Sequence, residues 1–231
     1  MQLSNRLLAV AGMVTEGNTV ADVGCDHGYI PIYLIQQKKI PCAIAMDIRR
    51  GPLSRAEAHI EENGLREYIQ TRLSDGVQAL KPGEADTLII AGMGGGLVQK
   101  ILRDGEEVLR SVSEFILQPQ SEIRQVRFFL QKNGYFITDE TMVLEDGKYY
   151  PMMRAVHGEM EYTEEIYLRY GRELLQSGHP VLRQFLEKER DTCLQILDTL
   201  SLSETSQARE REKEIQQEMQ YIKAALQHYE M

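Results

Sequence analysis

The sequence predicts an α/β protein: a mostly parallel, seven-stranded sheet with an antiparallel edge strand, followed by a helical hairpin of coiled-coil type. Three observations predict it. Short apolar runs alternate with helical stretches over residues 1–157. A Glu145-Asp146-Gly147 turn then joins two longer strand-like runs. Beyond that point strand-like runs stop and seven-residue apolar spacing begins. Of 18 glycines only Gly158, Gly171 and Gly178 lie in this last stretch. A boundary is therefore expected near Gly158, dividing the chain into domains 1–157 and 158–231.

The elements follow in order. Residues 19–23 form a short β-rich run ending at Gly24, and 29–38 read as a helix. Residues 42–46 are a second apolar run, stopped by Asp47. A helix over 53–63 closes on Asn63-Gly64, a C-cap signal. The third, fourth and fifth strands are read at 68–73, 87–91 and 115–117, with a helix at about 122–132. The hairpin pairs 135–144 with 148–157. The continuous apolar strands suit burial on both faces. Residues 163–176 read as one helix. Leu182, Leu186, Glu189, Cys193, Ile196 and Leu200 then form one seam. After Ser201-Leu202-Ser203, a second runs through Ala208, Glu212, Ile215, Met219, Ile222, Leu226 and Tyr229. A short connection makes the two helices antiparallel neighbours; the same seams would also serve to dock them on the main domain.

The 231 residues suit one large domain or a domain with an appendage. With 42% hydrophobic and 26% charged residues the chain is globular. No apolar run reaches the roughly 20 residues of a membrane span, so no membrane partner is expected. No leader-like apolar stretch follows Met1, and a cytoplasmic location is expected. Cys25, Cys42 and Cys193 have no metal-ligand spacing, and reduced thiols without a metal are expected. The net charge is −9, with 9 basic and 15 acidic residues in 158–231 giving −6, and 17 and 20 in 1–157 giving −3. That excludes a generally basic nucleic-acid coat while leaving room for a local basic patch.

Candidate chemistry gathers where the strands end, since open α/β sheets bind ligands beyond their carboxyl ends. The first turn, Asp22-Val23-Gly24-Cys25-Asp26-His27-Gly28-Tyr29, holds glycines without the GxGxxG spacing. Asp26 in that turn would repel a pyrophosphate, whereas a cationic ligand lacking phosphate would tolerate it. S-adenosylmethionine carries an ammonium and a sulfonium and has no phosphate. Asp47, followed by Ile48, can accept hydrogen bonds from both ribose hydroxyls. Asp75, before Gly76, can reach an adenine exocyclic amine. Ala91-Gly92-Met93-Gly94-Gly95-Gly96 lets backbone approach something closely. Each loop acid alone reads equally as a solvated residue; four ligand-suited turns after four successive strands do not.

With these residues in view, the sequence resembles the class I S-adenosylmethionine-dependent methyltransferases, and more narrowly the bacterial tRNA (adenine-22-N1)-methyltransferases. The resemblance rests on Leu3-Ser4-Asn5-Arg6-Leu7, Ala21 to Tyr29, Asp75-Gly76 and Ile90 to Gly95, continuing with Ile116-Leu117-Gln118-Pro119 and Glu145-Asp146-Gly147-Lys148-Tyr149. It covers 1–157 by motif and 158–231 by architecture, and it implies a Rossmann-like methyltransferase sheet with a coiled-coil tail. Gln120 departs from it, since that family commonly has Asn after Gln-Pro.

The implied reaction methylates N1 of adenine 22 in tRNA. N1 offers an in-plane lone pair and needs no deprotonation, so placement matters more than base catalysis. Carbonyls or a carboxylate would stabilise the cationic product. The residues expected at the reacting centre are Asp26, His27, Gly92, Met93 and Tyr149. Cofactor contacts are expected from Asp22, Gly24, Asp26, His27, Gly28, Tyr29, Asp47 and Ile48, and from Asp75, Gly76, Ala91, Gly92 and Met93. The absence of an Asp/Asn-Pro-Pro-aromatic motif after the fourth strand argues against N6 as the target. A base in folded tRNA must be flipped out, and Tyr29, Tyr149 and Tyr150 are the aromatic residues available to stack on it. Edge-strand packing would equally explain the last two, and a turn hydrogen bond would explain His27. Arg6, Arg49, Arg50, Arg55, Arg124 and Arg127 are the candidates for phosphate contacts. Cys25 reads as a small turn residue whose thiol Asp26 would keep protonated. Two other classes stay open on the residues alone: a small-molecule methyltransferase, and a non-catalytic cofactor-binding module.

Overall fold

The computed structural model of the chain describes residues 3–202 and 205–230. It divides into two compact units, 1–160 and 161–231. In the first, α1 (Asn5–Met13), β1 (Val20–Val23), α2 (Tyr29–Gln36), β2 (Ala43–Asp47), α3 (Arg50–Glu62) and β3 (Ile69–Leu73) come first. Then follow β4 (Thr87–Met93), α4 (Gly95–Asp104), α5 (Glu106–Leu109), β5 (Glu114–Pro119), α6 (Ile123–Lys132), β6 (Tyr135–Glu145) and β7 (Lys148–His157).

The seven strands lie in the order β3-β2-β1-β4-β5-β7-β6. The first five pair in parallel, and the antiparallel strand β7 inserts between β5 and the outermost β6. Every residue of β1, β2 and β5 is buried, as helix-covered parallel strands require. The strand order reverses beside β1, which opens a crevice at its carboxyl end. One side of the core runs from Val10 and Ala11 of α1 through Val20, Ala45 and Ile89 to Ile116.

Three helices, α1, α4 and the four-residue α5, lie where no helix was read from sequence. Helix α1 starts at an N-cap, Ser4, whose side chain accepts from the Leu7 amide. Lys39 Nζ donates to the carbonyls of Ala11 (3.0 Å) and Gly12 (2.8 Å) at its other end. Thr15, just past it, donates through its amide (3.1 Å) and hydroxyl (2.6 Å) to the buried Glu114 carboxylate. Helix α4 begins inside the glycine cluster, a poor helix-forming stretch that gains its cap from elsewhere.

Arg127 corrects the sequence reading. It is 1% exposed on α6, and its Nε lies 2.8 Å from Glu140 Oε1 on β6. The amphipathic turn of α6 carries this arginine inward, so it is a buried ion pair and not a phosphate contact.

The second unit contains α7 (Glu165–Tyr170), α8 (Arg172–Gln176), α9 (Pro180–Leu200) and α10 (Ser206–Gln227). The single helix expected over 163–176 is two short ones, because Gly171 takes φ 91° and ψ 126° between them. Along α9 and α10 the expected seam residues are all buried or half-buried. Tyr229 at the end of the second seam donates to the His179 carbonyl at the start of α9 (3.1 Å), so the pair is antiparallel. Glu218 accepts from Arg169 (2.6 Å) and from the Tyr170 hydroxyl (3.2 Å), tying α7 to α10. Ser203, in the expected connection, lies outside the described residues.

Candidate active site

The turn after β1 is fixed by its neighbours. The amides of Gly24 and Cys25 both donate to the Met46 carbonyl on β2, at 2.8 and 3.0 Å. Gly24 takes φ +75°, and a Cβ there would collide with Met93 Cε, so glycine is required twice over. Gly28, at φ +68°, precedes α2 and packs on Ala56 of α3. It lines neither cavity described below. Asp26, at φ +41°, projects outward and is held by Arg55 Nη2 at 2.6 Å.

Two acids are buried at adjacent strand ends. Asp22 is 4% exposed, and among the described residues no hydrogen-bond donor or cation meets its carboxylate. Burial first, and Asp47 second, push its carboxyl up to about 7. Asp47 is 6% exposed, and its Oδ1 accepts from the Arg49 amide at 2.8 Å. That bond aims the Asp47 side chain along the start of α3. Burial, then Asp22 and Asp47, raise the Cys25 thiol pKa, while Asp26, the cause read from sequence, contributes least. The thiol stays protonated and is no nucleophile.

At β4 the ladder to β5 shifts register between Ala91 and Met93, and Gly92 sits at the irregularity with φ +78°. Gln118, fully buried on β5, braces it: its Oε1 accepts from the Gly92 amide (3.1 Å) and from Arg6 Nη1 (2.9 Å). Arg6 also lies 5.5 Å from the Tyr150 ring, and its amide donates to Glu145 (3.3 Å). Gly94 lines the larger cavity described below, while Gly95 and Gly96 serve the protein itself. The Gly95 amide donates to Ser121 Oγ (3.3 Å) and the Gly96 amide to the Glu122 carboxylate (2.8 Å). A Cβ at Gly95 would meet the Ser121 carbonyl, so the close approach is between two stretches of this chain. With a carboxylate on its first turn, α4 is closed to a phosphate.

Two cavities flank the β4 irregularity. One, of about 560 Å³, runs past Asp47, Ile48, Arg49, Asp75, Gly76 and Met93. The other, of about 310 Å³, is walled by Asp22, His27 and Tyr29 on one side and Arg6 and Gln120 on the other. Both are lined by Gly24, Asp26, Ala91 and Gly92, so they meet there. The acid-lined larger cavity fits S-adenosylmethionine: it offers carboxylate acceptors for hydroxyls and for a positive charge.

His27, Tyr29 and His59 form a stack of nearly parallel rings, with centroids 4.9, 5.3 and 5.5 Å apart. His59, in the last turn of α3, had no signal in the sequence; its place depends on a contact 32 residues away. Gln118 stood within a motif without a role of its own.

The remaining arginines separate. Arg49 lines the larger cavity and Arg50 is exposed beside it on α3. Arg55 is exposed but engaged with Asp26. Arg124 is half-buried on α6. Tyr149 corrects the reading of the reacting centre: it faces Leu144 across the hairpin and lines neither cavity. Neighbours on a strand point to opposite faces, and it is Tyr150 that meets Arg6. No cluster of His, Cys, Asp or Glu suited to a metal occurs among the described residues. No helix there is long and apolar enough to cross a membrane.

Residues 3–153 match the family described as "Methyltransferase domain". The chain is similar to the tRNA (adenine(22)-N(1))-methyltransferase of Bacillus subtilis, 33% identical over 241 aligned residues, covering 99% of this chain and 98% of that protein. It is similar to the crystal structure of Streptococcus pneumoniae Sp1610 in complex with S-adenosyl-L-methionine, with a TM-score of 0.88 and 33% identity over 97% of this chain and 100% of that one. It is also similar to M. capricolum TrmK in complex with S-adenosyl-homocysteine, with a TM-score of 0.84 and 27% identity over 99% and 100%.

Proposed function

The chain belongs to the tRNA (adenine(22)-N(1))-methyltransferases, within the methyltransferase-domain family, and from that premise we infer that it transfers a methyl group from S-adenosylmethionine to N1 of adenine 22 in tRNA. The observation that carries this is the meeting of the two cavities at Gly24, Asp26, Ala91 and Gly92. One is furnished for a cationic nucleoside and the other for a flat base. S-adenosylmethionine, when bound, supplies an electrophilic methyl group.

The chain's residues supply placement and charge. Asp47, aimed by the Arg49 amide, accepts from ribose hydroxyls, and Asp75 from an exocyclic amine. Asp22 offers a buried carboxylate without a cation of its own. N1 of adenine presents its lone pair unprotonated near neutral pH, so no general base is required. Gln118 fixes the backbone at Gly92, so the wall between the two ligands is preorganised. Asp26, at the shared rim, stabilises the positive charge that the base acquires. Arg6 reaches the same cavity and suits a phosphate of the everted nucleotide. Arg49 and Arg50 suit phosphates further along. The work is cytoplasmic, and the helical unit 161–231 holds the body of the tRNA.

The test is mass spectrometry of nucleosides from tRNA incubated with the protein and methyl-labelled S-adenosylmethionine. Label in N1-methyladenosine, lost when adenine 22 is replaced by guanine, is the expected result. Label elsewhere, or only in a small molecule, overturns the reading.

A further inference from the structure

We propose that His59 is a positioning residue that holds His27 and Tyr29 as a stacked platform for the target purine; this rests on the methyltransferase reading above. His27 and Tyr29 line the 310 Å³ cavity and His59 does not, so His59 acts through them. Its ring lies 5.3 Å from His27 and 5.5 Å from Tyr29, inclined by 20° and 12°. Its Nδ1 is 3.0 Å from the His27 carbonyl oxygen. A carbonyl only accepts, so Nδ1 carries the proton and donates, which fixes both the ring of His59 and the backbone of His27. From the other side Asp26 Oδ2 approaches His27 Nε2 at 3.7 Å, and Arg55 holds Asp26 in turn. The ring pair is therefore clamped between α3 and the turn after β1.

The arrangement matches what a flipped base needs. The opposite wall of the cavity is polar, with Arg6 and Gln120 able to meet base edges or a phosphate. The aromatic wall offers a π-face, the sequence-tolerant part of nucleobase capture. Single-stranded base stacking lost by substitution typically costs roughly five- to a hundredfold in binding.

Three variants separate a platform from mere packing. His59→Ala removes ring and hydrogen bond, His59→Phe keeps the ring, and His59→Gln keeps a donor for the His27 carbonyl. Initial rates on tRNA with labelled S-adenosylmethionine give kcat and KM; calorimetry gives cofactor affinity; thermal melting gives stability. The expected result is a loss of about tenfold or more in kcat/KM for His59→Ala and His59→Gln, recovery of most of it in His59→Phe, and cofactor affinity within twofold throughout. Position 22 substituted with 2-aminopurine should be quenched on binding to the parent protein and less so in His59→Ala. Should the parent methylate adenine 22 while His59→Ala stays within twofold of it, the platform is refuted and the proposed function stands. Equal losses in all three variants, tracking a lower melting temperature, reduce His59 to packing. No label at adenine 22 from the parent refutes the function itself, and the platform with it.

Discussion

Asp22→Asn should make this protein more stable and a worse cofactor binder. Asp22 lies at the end of β1, is 4% exposed, and has only another acid, Asp47, on the neighbouring strand. Arg6, Asp26, His27, Cys25 and Tyr29 line the same cavity, and none of them bonds its carboxylate. Burial and then Asp47 raise its pKa from 3.8 to about 7. The folded protein thus holds a proton that the unfolded chain releases above pH 3.8. Below that pH both states are protonated and nothing is lost; between 3.8 and about 7 stability falls with rising pH; above about 7 the cost is complete. A rise of 7 − 3.8, at about 1.36 kcal/mol per unit, gives an upper figure of about 4 kcal/mol at pH 8. Asparagine has the same shape and no charge. We expect Asp22→Asn to gain roughly 2–4 kcal/mol at pH 8, and about half of that at pH 5.5. Urea unfolding followed by circular dichroism at pH 5 to 8.5, without cofactor, measures this. Calorimetry at pH 8 should show weaker S-adenosylmethionine binding, because a positive ligand reaching the place where the two cavities meet, beside Gly24, loses the nearby carboxylate that the fold keeps at a cost in stability. An asparagine variant no more stable than its parent at pH 8, or a gain independent of pH, would refute the reasoning.

Other outcomes follow from the same geometry. Asp47→Ala should weaken cofactor binding by about 1–3 kcal/mol by calorimetry, since ribose hydroxyls lose a charge-assisted acceptor; unchanged affinity would remove Asp47 from the site. Arg127→Ala removes the cation paired with the buried Glu140 carboxylate and should cost about 3–5 kcal/mol in chemical denaturation; a normal unfolding midpoint would contradict the buried pair. Reversing the charges of Arg49 and Arg50 together should lower tRNA affinity and reduce the salt slope by about one per lost phosphate contact. An unchanged slope would send the tRNA to another face. A chain ending at Met160 should retain S-adenosylmethionine binding and fail to methylate tRNA; full turnover would show the helical unit to be dispensable.

Local chemistry made much of this legible. The β1, β2, β4 and β5 runs are mostly apolar between turn residues, and acids stand in or directly after the strand ends, so sheet and cleft read from neighbours in sequence. What escaped reading depends on distant partners. Helix α4 begins in three consecutive glycines whose propensity argues against a helix, and Ser121 Oγ and the Glu122 carboxylate, each 26 residues beyond the amide they accept from, complete its first turn. Arg127 carries the same charge as a solvated arginine, and nothing nearby announces Glu140 on the next strand. Gln118 and His59 act through bonds to Arg6 and His27, 112 and 32 residues away. The division of 163–176 at Gly171 was visible as a residue, but a single glycine is often tolerated within a helix.

Helix α1 precedes every strand in the chain and is among the last elements able to settle. Arg6 bonds Gln118 and Glu145, the latter 139 positions later, and Thr15 bonds Glu114, 99 positions later. At about 5–20 residues per second, translation spends roughly 7–28 s between making Arg6 and making its furthest partner. Until residues 114–157 have been made, Val10, Ala11 and Met13 have no complete β5 and hairpin to close over them. The cavity wall that Arg6 forms is therefore assembled after nearly the whole sheet exists, and a nascent chain holding every acidic cofactor position still lacks one side of its substrate cavity.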